Sequence, residues 1–126
     1  MALIESISYS DEKDINKIFE DAVFRYCNFK GLELEGDCID SVFLSCKFNE
    51  LDLYWVLFNS VLCVDTVIEN SVFAGVSFRD CRFLNCKFIN CRFEKDNLGA
   101  PCVFEETQFI DTKFIGCSGH PIGASK

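Results

Sequence analysis

Residues 71–95 read SVFAG VSFRD CRFLN CKFIN CRFEK, five successive blocks of five with a ring at the centre of each: Phe73, Phe78, Phe83, Phe88 and Phe93. A period of five fits neither the 3.6-residue turn of a helix nor the two-residue alternation of a strand, so neither element alone gathers these rings on one side. The spacing continues in both directions. Phe19, Phe24 and Phe29 are followed by Leu34, and after a one-residue deletion come Phe43, Phe48, Leu53, Phe58, Cys63 and Ile68. Beyond the quoted run Leu98 is next in phase, one residue inserted at Gly99-Ala100-Pro101 shifts it, and Phe104, Phe109 and Phe114 complete the ladder. All fourteen phenylalanines of the chain lie on it.

Two residues before each ladder position runs a second, mostly small series: Ala22, Cys27, Leu32, Ser41, Cys46, Leu51, Val56, Val61, Thr66, Ser71, Val76, Cys81, Cys86, Cys91, Asp96, Cys102, Thr107 and Thr112. One large and one small residue facing inward per five describe a narrow, packed prism whose sides are single pentapeptides. The length of 126 residues suits one domain. With 49% hydrophobic and 25% charged residues and two prolines, the chain is a folding sequence and no linker. Nine cysteines cannot all pair, and the N-terminus shows neither a basic leader nor a long apolar run, so a reducing, cytoplasmic setting is expected.

The blocks resemble the pentapeptide-repeat family, whose motif is A-(D/N)-L-x-x with Leu or Phe at the centre. The resemblance covers about 22–116 and implies an all-β fold, a right-handed quadrilateral β-helix with four pentapeptides per coil. About five coils then fit, in a rod roughly 24 Å tall at a strand spacing of about 4.8 Å. A cap is expected over 1–21, with Ser10, Asp11, Ile15, Ile18 and Phe19 suiting a short helix. The tail 117–126 reads as flexible, and the phase slips predict a bend near 36–40 and a loop at 99–101.

The cysteines invite a metal site, since Cys81, Cys86, Cys91 and Asp96 fall on four successive sides of one coil. The ladder residues Phe83, Phe88, Phe93 and Leu98 fill the same interior, however, and no CxxC pair is present, so no metal and no cofactor is expected. Disulfides between vertical neighbours, Cys27 with Cys46 and Cys81 with Cys102, would need Cβ atoms closer than one strand spacing. Catalysis lacks its usual groups: the single histidine is His120, and no phosphate loop or HExxH appears. The expectation is a non-enzymatic protein.

Two surface signals remain. Val42, Leu44, Leu62, Val64 and Leu84 take outward positions on one side in three successive coils, with Trp55 and Leu57 placed around the adjoining corner. A patch of about 400 Å² marks a protein partner, of unknown identity or a second copy in a homodimer. A small cytosolic inhibitor or immunity protein would have this form. The second signal is charge: twenty acids against twelve bases give a net charge of −8, which disfavours direct binding to nucleic acid or anionic membrane. Relatives in the family that protect DNA gyrase are understood as acidic mimics of duplex DNA, and the resemblance implies that alternative here, with Glu33, Glu35, Asp52 and Glu69 as the mimicking surface. Duplex DNA carries one charge per about 1.7 Å, so a rod of about 24 Å would need roughly fourteen. Arg79, Arg82, Lys87, Arg92 and Lys95 also interrupt the acidic surface.

Overall fold

The computed structural model describes residues 2–10 and 19–119, and every regular element among them is a strand. Each pentapeptide contributes one short strand and one corner. β1 (Ala2–Glu5) and β2 (Ser8–Tyr9) come first. The first complete coil is β3 (Ala22–Arg25), β4 (Asn28–Lys30), β5 (Glu33–Leu34) and β6 (Asp37–Ile39). The second is β7 (Val42–Leu44), β8 (Lys47–Asn49), β9 (Asp52–Tyr54) and β10 (Leu57–Asn59). The third is β11 (Leu62–Val64), β12 (Val67–Glu69), β13 (Val72–Ala74) and β14 (Ser77–Arg79). The fourth is β15 (Arg82–Leu84), β16 (Lys87–Ile89), β17 (Arg92–Glu94) and β18 (Val103–Glu105), and β19 (Gln108–Ile110) and β20 (Lys113–Ile115) follow.

The strands stack into four parallel sheets, the four sides of a β-helix. Side 1 is β1-β3-β7-β11-β15-β19, side 2 is β2-β4-β8-β12-β16-β20, side 3 is β5-β9-β13-β17 and side 4 is β6-β10-β14-β18. Among the described residues there are thus four complete coils with further strands at each end, where the period alone suggested five. Successive coils pair rung on rung: Leu62, Cys63 and Val64 lie opposite Arg82, Phe83 and Leu84. Corner amides join in, as Ser45 N–H donates to Val64 O at 2.9 Å and Leu62 N–H to Ser41 O at 3.0 Å. Each turn of the chain needs a left-handed residue, and Asp40, Ser45, Asp65, Asn85 and Asn90 supply it with φ between 51° and 52°. Short polar side chains tolerate that conformation best.

The ladder residues fill the interior. On side 1 Phe24 stacks on Phe43 at 5.0 Å, and Phe83 on Phe109 at 5.0 Å; Cys63 breaks the column between them. On side 2 Ile68 interrupts Phe48 and Phe88 in the same way. The rings therefore form two separate blocks, with an apolar cavity of about 30 Å³ lined in part by Cys63, Ile68, Phe48 and Phe88.

The small series has a chemical role as well as a steric one. Thr66 Oγ1 donates to the carbonyl of Phe43, the ladder residue one coil earlier (3.3 Å); Ser41 does the same to Phe19 (3.0 Å) and Thr112 to Phe83 (3.0 Å). The thiols follow suit: Cys46 to Phe24, Cys81 to Phe58, Cys86 to Cys63 and Cys91 to Ile68, at 3.3–3.4 Å. Hydroxyls of this series also accept from the amide of the inward residue below, Cys46 N–H to Thr66, Leu51 N–H to Ser71 and Cys86 N–H to Thr112. Cys, Ser and Thr thus stand where Ala would fill the space but leave these groups without a side-chain partner.

Several details differ from the period count. The deletion is real, since Phe24 pairs with Phe43 nineteen positions on. Cys38 is the missing rung, fully buried against Phe58, and the shortened corner uses Gly36 at φ 98°. At the second slip, Phe83 pairs with Phe109, so this coil is six residues longer than the 20-residue coil before it. Leu98 is therefore no rung: residues 96–101 leave the coil as a loop and Leu98 is 80% exposed. Asp96 likewise stays outside, and Cys102 takes the inward slot assigned to it, so Cys81 lies beneath Thr107 and not beneath Cys102. At the N-terminal end, Ile4 and Tyr9 continue the ladder under Phe24 and Phe29. The helix expected around Asp11, Ile15 and Ile18 falls outside the described residues, as does His120. Residues 117–119 carry the coil onward, with Ser118 bridged to Arg92 on side 3.

Candidate functional site

A pentapeptide spends two positions on the core, so the two strand positions flanking the rung face outward. On side 1 the column before the rung reads Leu3, Val23, Val42, Leu62, Arg82 and Gln108. The column after it reads Glu5, Arg25, Leu44, Val64, Leu84 and Ile110. The structure thus brings Val42, Leu44, Leu62, Val64 and Leu84 together on one flat sheet and extends the patch with Leu3, Val23 and Ile110. Leu3 is 60% and Ile110 42% exposed, and the residues between them are half-buried. Two opposite ends of the patch are polar: Glu5 is paired with Arg25, and Arg82 and Gln108 close the other end.

The remaining residues of the expected patch lie elsewhere. Leu57 is on side 4, facing Asp37 and Ser77 in its column. Trp55 sits at the corner of sides 3 and 4, a full side away from the apolar face, because one side holds five residues and Trp55 precedes Leu57 across that turn. Its indole Nε1–H donates to Asp96, and the neighbouring Tyr54 ring, 4.7 Å away, bonds through its hydroxyl to Asn97. Asp96 also accepts from Leu98 N–H (2.8 Å) and Ala100 N–H (2.9 Å), and these main-chain bonds, with the indole, hold its carboxyl below the usual carboxylate range. Gly75 makes the contact fit: a Cβ there would come 2.8 Å from Asp96 Oδ2. Trp55 and Tyr54 therefore serve to fasten the loop.

The acidic residues are also divided. Glu33 stacks with Asp52 on side 3, with Glu35 at the next corner, whereas Glu69 lies on side 2 in an ion pair with Lys47 at 3.0 Å. The cations are spread over all sides: Arg79 on side 4 pairs with Glu105 at 3.0 Å, Arg82 is on side 1, Lys87 on side 2 and Arg92 on side 3. Among the described residues no group of three His, Cys, Asp or Glu side chains converges as a metal site would require. All nine cysteines are free. Burial pushes the thiols of Cys46 and Cys86 up to about 11 and those of Cys38 and Cys91 to about 12, which keeps them protonated and unreactive.

No family model matches the sequence, and no curated protein matches it. Among solved structures the chain is similar to full-length QnrB1, a plasmid-mediated fluoroquinolone resistance protein, with a TM-score of 0.58 and 13% identity over 92% of this chain and 67% of that one. A pentapeptide repeat protein, Rfr23 from the cyanobacterium Cyanothece 51142, is matched with a TM-score of 0.40 and 10% identity over 92% of this chain and 83% of that one. At such identity the likeness to QnrB1 is one of fold. With one five-residue rung per side and four sides to each coil, the chain has the pentapeptide-repeat β-helix fold.

Proposed function

We propose that this is a non-enzymatic cytoplasmic protein that presents side 1 as a rigid docking face to another protein. The observation that carries the reading is the alignment of eight apolar side chains on one six-stranded sheet, in a fold whose interior is already filled. Nothing in the architecture requires them: side 2, of the same size, carries Ser8, Asn28, Lys47, Val67, Lys87 and Lys113 in its leading column, with one apolar residue among the six. An inhibitor or immunity role suits a small protein that acts by occupying a surface. The test is affinity capture from native cytosol with wild type and Leu62→Asp side by side. A protein retained by wild type and lost by the variant supports the reading; identical captures overturn it.

A second reading is favoured by one observation, the stacking of Glu33 on Asp52 with Glu35 beside them. On this reading side 3 imitates a stretch of duplex DNA and the target is a topoisomerase such as DNA gyrase. It predicts that charge reversal at Glu33, Glu35 and Asp52 abolishes binding to gyrase while Leu62→Asp leaves it intact. Glu69, held by Lys47 on another side, contributes nothing to such a surface.

A further inference from the structure

The apolar face has edges, and their chemistry indicates what covers it. The corner leading into side 1 carries Asp21, Asp40, Ser60, Asp80 and Glu106, one per coil, and the corner leaving it carries Ser6, Tyr26, Ser45, Asp65, Asn85 and Asp111, two of them acids. None of these six carboxylates takes part in an ion pair among the described residues. Their common left-handed conformation, φ 48–53°, explains a preference for Asp, Asn, Ser or Gly but not for charge. The corner between sides 2 and 3 meets the same requirement with Gly31, Glu50, Asn70, Asn90 and Gly116, only one of them charged. Glu106 gains no conformational advantage at all from its corner. Side 1 is thus an apolar strip with an acidic border along its leading edge and two further acids, Asp65 and Asp111, on the other.

From this arrangement we infer that side 1 receives an amphipathic α-helix of a partner protein, laid along the solenoid axis, with lysines or arginines flanking its apolar stripe. The inference rests on the reading of side 1 as the docking face and names the partner's chemistry. The dimensions agree. Six strands at about 4.8 Å span roughly 24 Å, the length of about 16 helical residues at 1.5 Å each. Rim to rim is five residues of extended chain, roughly 16 Å, which seats a helix of about 10–12 Å diameter with room for its basic side chains to reach the carboxylates. The flat face offers no free strand edge, so an added strand has nothing to pair with there, and the side chains of a helix supply the matching apolar ridge. A second copy placed face to face and antiparallel would set acidic edge against acidic edge, and like charges so juxtaposed oppose docking.

The probe is a synthetic helix of about 16 residues with a leucine stripe flanked by lysines. It is compared with the same peptide carrying glutamates in place of the lysines and with a scrambled lysine peptide, each titrated against the full chain by fluorescence anisotropy. The lysine helix is expected to bind at least about tenfold tighter than either control and to lose about tenfold as salt rises from roughly 50 to 500 mM, where the Debye length falls below about 5 Å. Asp40→Asn with Asp80→Asn keeps residues suited to the corner conformation and removes two charges; it is expected to weaken the lysine helix several-fold and leave the glutamate helix unaffected. Equal binding of the lysine and glutamate helices, or no response to the Asn variants, overturns the inference. So does a mass by light scattering that grows with concentration, since side 1 would then be taken by another copy, including its lysine-bearing side 2. If Leu62→Asp still loses a captured partner while the lysine helix fails, the docking face stands and its proposed occupant falls.

Discussion

Thr66→Val separates the two accounts of the small inward series. Thr66 is fully buried, and its hydroxyl lies 3.0 Å from Val64 O and 3.3 Å from Phe43 O while accepting the Cys46 amide at 3.3 Å. Valine has the same shape, and Val56, Val61 and Val76 occupy equivalent slots without strain, so the substitution changes chemistry and not volume. It leaves the buried Cys46 N–H without its acceptor, a loss of about 1–3 kcal/mol. Thr66→Ser keeps the hydroxyl and removes one methyl, at a cost of about 1 kcal/mol.

The order of stability is therefore wild type, then Ser, then Val if the slot is a hydrogen-bonding site. A slot that only needs filling gives the reverse, with Val at or above wild type and Ser lowest. Urea unfolding followed by far-UV circular dichroism reads the order directly. Midpoints are the quantity to compare, because a stack of repeats need not unfold in one step. Val at least as stable as wild type would refute the reasoning.

Phe78→Ala removes a ring stacked on Phe58 at 5.1 Å and on Phe104 at 5.0 Å and is expected to cost about 3–5 kcal/mol. Phe114→Ala, half-buried in the last rung, should cost clearly less, and equal losses would argue against burial setting the contribution of each ring. Alkaline pH tests the thiols. Cys38, Cys46, Cys86 and Cys91 are raised in the fold to about 11–12, so their contribution is complete below the unfolded value near 9 and is lost as pH climbs from there toward 12. Each such thiol tilts the curve by about 1.4 kcal/mol per pH unit in that window. A urea midpoint unchanged from pH 7 to 10 contradicts this, and Cys86→Ser should flatten the slope. Gly75→Ala places a Cβ 2.8 Å from Asp96 Oδ2 at a φ of 59°, and about 1–2 kcal/mol of destabilisation with a shift in Trp55 emission is expected. Unchanged emission would mean that the loop is not held there.

The fold was legible because a five-residue period with rings at its centre admits few arrangements, and the apolar face because neighbours on one side recur every twenty residues. What escaped was whatever counting cannot distinguish. Ile4 and Tyr9 lie on the period, Ile4 with Ala2 two residues before it, but Asp14 stands at the next position in phase and interrupts the apolar run before Phe19. Trp55 is one residue from the strand that follows it, and a corner residue belongs to neither side by sequence alone. The acidic rim was hidden for a related reason: Asp21, Asp40, Asp80 and Glu106 are dispersed along the chain and line up only when the coil lengths of 19, 20 and 26 are applied in turn. The charge count of −8 averages over that order.

The loop shows why arithmetic misleads at a corner. From Phe93 to Phe104 is eleven residues, which five plus six describes as well as a single rung followed by a six-residue excursion. The pairing decides it, since Ser77, Phe78 and Arg79 lie opposite Val103, Phe104 and Glu105, while β17 pairs back with β13. A solenoid is stabilised by each rung against its neighbours, so residues added at a corner leave the pairing above and below intact. Removing residues 96–101 should then join Lys95 to Cys102 in a regular corner and restore a 20-residue coil. The shortened chain is expected to keep its β-sheet spectrum and a urea midpoint near that of wild type, because the lost Asp96 contacts are offset by closing a shorter loop. Trp55 emission should move to the red as the indole loses Asp96. If Leu98 were a true rung, the deletion would remove part of the core and unfold the top of the helix. Loss of β structure in that variant would therefore return Leu98 to the ladder.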